Sequence, residues 1–133
     1  QEYISGKEYT VDVFCDMESN IVSHVIRERV STKAGISVIG KITKNKAIKE
    51  QVKKVVKELS IKGPSCMQFI VTQLGIPYLL ECNPRLGGGT YMSTLAGVNC
   101  ADIYFDLLKN NKPESKEARE ITAIRYFEEI VKE

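Results

Sequence analysis

Apolar and polar residues alternate over residues 8–15, with Tyr9, Val11, Val13 and Cys15 on one side, the period of a strand with a buried face. The run Asp16-Met17-Glu18-Ser19-Asn20 predicts a turn, and residues 21–30 return as a second strand with Val22, Ile26 and Val30 aligned. Between 44 and 59 the period changes. Ile48, Val52, Val55, Val56 and Leu59 fall at helical spacing with lysines and glutamates opposite, and Gly63-Pro64 is expected to end that helix and start the hairpin that follows. Residues 65–72 and 77–82 are β-compatible and flank a Leu74-Gly75 turn signal, which predicts a hairpin. Residues 92–98 and 101–108 read as short helices, 111–115 as a loop, and 120–127 as a strand or a helix. The pattern is that of one α+β domain over residues 1–133, an antiparallel sheet flanked by helices.

The predicted hairpin carries the candidate chemistry. A turn centred on Leu74-Gly75 sets Gln68 opposite Glu81, and strand alternation puts Asn83 on the face of Glu81, with cross-strand partners about 5 Å apart. Three oxygens held together suit a hard divalent cation such as magnesium, of the kind carried with nucleotide phosphates. Taken singly, each of these residues also fits the solvated face of an ordinary amphipathic sheet. The sequel weighs against that plainer reading. Pro84 stops the ladder, Arg85 offers a planar fork of donors, and Gly87, Gly88 and Gly89 open the backbone to an anion.

Gln68…Glu81-Cys82-Asn83-Pro84-Arg85 resembles the metal-binding signature of ATP-grasp enzymes, Glu-x-Asn-x-Arg, and most closely that of carbamoyl-phosphate synthase large subunits and their relatives. The resemblance implies that Gln68, Glu81 and Asn83 hold magnesium (or manganese) ions bridging the phosphates of ATP. It implies that Arg85 acts in catalysis, on the transferred phosphoryl group or an acyl-phosphate intermediate. The opening segment from Gln1 to Val13 resembles the hinge that runs into the second lobe of these enzymes. There the backbone of Gln1, Glu2, Tyr3 and Ile4 would contact adenine and Glu8 the ribose hydroxyls, although Glu8 also fits an exposed strand charge. The segment from Arg27 to Gly35 resembles a basic strand leading into a loop near the phosphates, with Arg27 and Arg29 on one face and Lys33 in the loop. A surface-charged strand fits that segment equally. The resemblance favours a strand over 120–127. It also implies that 1–133 is a C-terminal lobe whose N-terminal lobe, with further ATP ligands, lies in cis elsewhere, and that the lobe alone is inactive.

The expected parent activity is an ATP-dependent ligase that converts a small carboxylate or bicarbonate to an acyl phosphate for attack by an amine or ammonia. The sequel Arg85-Leu86-Gly87-Gly88-Gly89-Thr90 departs from the serine-rich stretch of carbamoyl-phosphate synthase, which puts bicarbonate in question. A non-catalytic nucleotide-binding or interaction module on the same scaffold is the alternative.

Composition narrows the field further. The formal charge is +2 over 133 residues with lysines and glutamates interspersed, so no nucleic-acid surface is expected. No apolar run approaches the roughly 18–20 residues needed to cross a bilayer, and a cytoplasmic protein is the default expectation. Cys15, Cys66, Cys82 and Cys100 form no metal or redox spacing, and Cys82 is expected to point inward. His24 has no Ser or Cys partner for covalent catalysis and reads as a satisfied or exposed strand residue. Open sheet edges on a lone lobe make a homodimer an expectation as well.

Overall fold

A computed structural model describes residues 2–126, 128 and 130–132. Gln1, the first of the hinge residues, and Phe127, the end of the expected last strand, lie outside the described residues. Six antiparallel strands form one sheet in the order β5-β4-β1-β2-β3-β6. They are β1 (Lys7–Cys15), β2 (Ile21–Lys33), β3 (Ile36–Thr43), β4 (Gly63–Val71), β5 (Pro77–Asn83) and β6 (Thr122–Ile124). The helices are α1 (Lys46–Leu59), α2 (Tyr91–Leu95) and α3 (Cys100–Leu108).

The alternation in β1 is more than amphipathic, because both faces are buried. Tyr9, Val11, Val13 and Cys15 join Ile48, Val52 and Val56 of α1 in one cluster. On the opposite face Phe14 joins Val25 and Ile42 against Met92 and Ala96, with Cys100 and Ile103 of α3. The α1 stripe is the helical period of its sequence: Ile48, Val52 and Val56 are its buried residues. Asn45 caps it by accepting from the Ile48 N–H at 3.0 Å.

Several expectations are corrected. The helix starts at Lys46, not 44, and ends at Leu59 as its period predicts, but what stops it is Ser60 in a left-handed conformation (φ 49°) with the Ile61 N–H returning to the Val56 carbonyl. Gly63 and Pro64 open β4, the first strand of the expected hairpin. Val22, Ile26 and Val30 do not share a buried face. The register shifts at Phe14/Cys15, where Phe14 faces Ser23 and Cys15 faces Ile21, so Val22 is an extra residue that turns toward the second cluster. Val30 is exposed. Lys33 is not a loop residue: β2 continues to it, and the turn is Ala34-Gly35, both at positive φ (50° and 76°), the requirement of a tight hairpin. The strand that follows, β3, has no counterpart among the sequence expectations.

The pairing of β4 with β5 matches the predicted hairpin, with Gln68 opposite Glu81 and Gly75 at φ 77° in the turn. Cys82 is half-buried against the α1-side cluster. No described helix is long and apolar enough to cross a membrane.

Ile48 is fully buried between α1 and the sheet. Ile48→Ala is expected to lower stability by about 2–5 kcal/mol through lost burial and the cavity left behind. Urea unfolding monitored by circular dichroism checks this.

Candidate functional site

Strand pairing assembles the site row by row on the face away from α1. Glu81 pairs with Gln68, Gln68 with Thr10, and Thr10 with Arg27, so one row crosses four strands. The next row is Asn83, Cys66, Asp12 and Val25. Facing side chains in a row lie on the same face, which brings residues far apart in sequence together.

On β4 and β5, Glu81 Oε1 accepts from Gln68 Nε2 at 2.5 Å and from Asn83 Nδ2 at 2.8 Å. Two amide donors thus fix one carboxylate oxygen. Gln68 Oε1 accepts from Arg29 Nη1 at 2.9 Å and keeps a second lone pair. Arg29 also donates from Nη2 to the Gly35 carbonyl at 2.9 Å and sits 3.2 Å from Glu8 Oε2 through Nε. Glu8, Arg29, Gln68, Glu81 and Asn83 therefore form a continuous polar chain, three of its members half-buried and the two carboxylates exposed. Arg29 also ties the Ala34-Gly35 turn to the cluster, with Lys33 at the base of that turn.

A second, buried network lies beneath it. Arg27 Nη1 and Asp12 Oδ2 are 2.9 Å apart, with side chains 1% and 2% exposed. Asp12 Oδ1 accepts from Thr90 Oγ1 at 2.8 Å, and Oδ2 accepts from Ser93 Oγ at 2.6 Å. Thr90 Oγ1 in turn accepts from the Gly87 N–H at 2.9 Å. The glycines act here mainly through their missing side chains. A Cβ on Gly87 would lie 2.6 Å from Cys66 Sγ, and one on Gly89 2.6 Å from Arg27 Nη2. The loop therefore lies flat on the sheet, and the Gly87 amide is occupied by Thr90. Over Gly88 there is open space. Arg85 is exposed at the loop's start, donating from Nη1 to the Leu86 carbonyl at 3.0 Å.

Glu2 and Tyr3 are exposed, make no side-chain hydrogen bond or ion pair among the described residues, and with half-buried Ile4 lead into β1. Burial pushes the thiols of Cys15, Cys66 and Cys100 up to about 11, so they stay protonated and unreactive near neutral pH. Among the described residues no group of three His, Cys, Asp or Glu side chains could hold a metal. The donors beside Arg29 are instead one carboxylate and two amide oxygens, a hard set suited to magnesium with phosphates completing the shell.

Asp12, Thr90 and Ser93 had no part in the site expected from sequence. The signal was present: Asp12 lies between Val11 and Val13 and two residues before Phe14, so a strand buried on both faces must bury its carboxylate, and a buried carboxylate requires partners.

A family model described as "ATP-grasp in the biosynthetic pathway with Ter operon" matches residues 1–130. Among similar solved structures is the phosphoribosylaminoimidazole carboxylase ATPase subunit from Aquifex aeolicus (TM-score 0.75, 17% identity, covering 90% of this chain and 40% of that one). N5-carboxyaminoimidazole synthetase from Staphylococcus aureus complexed with ADP gives a TM-score of 0.74 at 21% identity, covering 89% of this chain and 33% of that one. The biotin carboxylase β,γ-ATP complex from Campylobacter jejuni gives 0.72 at 18% identity, covering 90% and 29%. The chain thus spans well under half the length of each.

Asp12→Ala leaves Arg27 buried without its counter-charge and is expected to cost about 3–5 kcal/mol, whereas Asp12→Leu combined with Arg27→Met recovers most of that loss. Denaturant unfolding of the two variants beside the unsubstituted protein checks the stability. Hydrogen exchange at residues 87–90 is expected to rise in both Asp12 variants, since the Thr90 anchor is gone.

Proposed function

The chain belongs to the ATP-grasp family, and we propose that it is the C-terminal nucleotide-binding lobe of an ATP-dependent ligase working through an acyl-phosphate intermediate. The observation that carries this reading is the polar chain from Glu8 through Arg29 and Gln68 to Glu81 and Asn83, set on an open sheet face beside Arg85 and the glycine loop. Similarity to structures bearing ADP and an ATP analogue supports nucleotide as the ligand of that face.

The residues fit the two charges of a metal–nucleotide complex. Glu81, Asn83 and Gln68 would hold magnesium through their side-chain oxygens. Bound there with the phosphates, magnesium supplies neutralisation of the charge that builds as a phosphoryl group moves. Glu81 is held for this role by two amide N–H donors, so its carboxylate needs little reorganisation. Arg29 donates to the Gln68 and Gly35 carbonyl oxygens and forms an ion pair with Glu8, and so acts as a positioning residue for the Gln68 amide and the Glu8 carboxylate. Glu8 would accept from the ribose hydroxyls, next to the backbone of residues 2–4, which would face the adenine. Arg85, exposed and bonded among the described residues only to the neighbouring Leu86 carbonyl, would hold the transferring phosphoryl group.

In the proposed reaction a substrate carboxylate oxygen attacks the γ-phosphorus and the bond to ADP breaks, giving an acyl phosphate. An amine or ammonia nitrogen then attacks the acyl carbon, inorganic phosphate leaves, and the nitrogen loses a proton. A carbamoyl-phosphate synthase-like parent would use bicarbonate as that first acceptor.

In the full-length protein, ADP release with magnesium is expected to be stimulated by a carboxylate or bicarbonate together with an amine. Glu81→Gln is expected to lower the stimulated rate by about a hundredfold or more. Nucleotide binding without stimulation across the panel, in protein that is otherwise intact, would favour the non-catalytic module. An unchanged rate in Glu81→Gln would remove Glu81 from the chemistry.

A further inference from the structure

A cavity of about 570 Å³ lies at the far end of β2 from Arg29, between that strand, the start of α1 and residues 115–118. It exists because the sheet is incomplete there. β3 pairs with β2 from Ile26 to Lys33, so, among the described residues, 21–25 have β1 on one side and no strand on the other. The gap is floored by apolar side chains, among them Val22, Ile26, Ile42 and Val52. The size falls within the roughly 300–1,000 Å³ of small-molecule pockets, which are mainly apolar with a few fixed polar groups.

The polar groups at this cavity are of one dominant sign. Five lysines line it against a single glutamate, Glu117. Lys44 is neutralised by Glu117 at 2.8 Å, Lys53 by Glu50 at 2.8 Å, and Lys116 by Glu114 at 3.2 Å. Lys46 and Lys49 have no ion-pair partner among the described residues, and both stand in the first turn of α1. That is the wrong place for a cation: the helix N-terminus carries partial positive charge and favours anions, and α1 has no acidic residue in its first turn.

Deeper in, Ser23 is 4% exposed and its Oγ has no hydrogen-bond partner, although it lines the cavity. A buried hydroxyl left without a partner is costly, and an acceptor atom entering the cavity would relieve that cost. His24, beside it, is held below its ordinary value by burial and by Lys49 and Lys53, so it adds no charge of its own at neutral pH. The helix terminus, the two unpaired lysines and the orphaned hydroxyl all lack the same thing.

We propose that this cavity is a second ligand site, independent of the nucleotide-binding face, and that it takes a small organic anion with a short aliphatic body. The anionic head meets Lys46, Lys49 and the α1 N-terminus, while the aliphatic part covers the apolar floor where the sheet lacks a strand.

Calorimetric titration of the full-length protein with hexanoate tests this, with hexanol, hexylammonium and acetate as comparisons. Saturable hexanoate binding is expected, about tenfold or more tighter than each comparison, and weakened about tenfold or more in Lys46→Gln/Lys49→Gln. Both lysines are exposed, so the variant should fold, and circular dichroism verifies it. Amide chemical-shift changes should centre on Ser23 and Lys49, and saturating magnesium–ADP should leave the affinity unchanged. Absent binding, equal affinity for hexanol or acetate, an unaffected double variant, or displacement by magnesium–ADP would each overturn the proposal.

Discussion

The buried pair of Asp12 and Arg27 is the constraint from which the rest of the site follows. Taking both charges out of water costs several kcal/mol per ion, and the 2.9 Å contact offsets this only because further hydrogen bonds complete the carboxylate. Thr90 and Ser93 supply them, and both lie on the segment that follows the glycines. Arg27 in turn demands space. A Cβ on Gly40 would lie 2.7 Å from its Cδ, and one on Gly89 2.6 Å from its Nη2. Glycine is therefore required both on the strand beside Arg27 and on the loop above it. The pair fixes where the loop can lie more than it adds net stability.

That placement reaches the polar chain through strand geometry. Arg29 is two residues beyond Arg27 on the same face, and Gln68 shares a row with Arg27 through Thr10. With β1 in place, a slip of one residue in the β1–β2 register would send Arg29 to the α1 side, away from Glu8 and Gln68. The buried pair makes that slip prohibitive, because it would carry Arg27 into the apolar cluster and leave Asp12 buried on the opposite face without its counter-charge. An internal ion pair thus secures the alignment of an exposed network whose own members contribute little to stability.

Much of this was legible in the chain. The Leu74-Gly75 turn and the apolar runs around it fixed one register, and that register puts Gln68 against Glu81. The α1 stripe emerged from its period alone. The unexpected features share a physical cause, which is that they depend on what lies across the sheet. Val22 is turned by a bulge that no local pattern encodes. The strand from Ile36 to Thr43 mixes apolar and polar residues around Gly40, whose role appears only once Arg27 and Met92 are packed against it. The glycines after Arg85 suggested an open anion cradle. Two of the three are instead dictated by Cys66 and Arg27 beneath them, contacts made between distant parts of the chain.

The account stands or falls on where a metal–nucleotide complex binds. Diffraction from crystals of the full-length protein grown with manganese and ADP, measured at the manganese absorption edge, tests this directly. The account predicts an anomalous peak within coordination distance of Glu81 and Asn83, with ADP phosphates toward Arg85 and the ribose toward Glu8. Manganese bound away from Glu81 and Asn83, or ADP on the α1 side of the sheet, would contradict it.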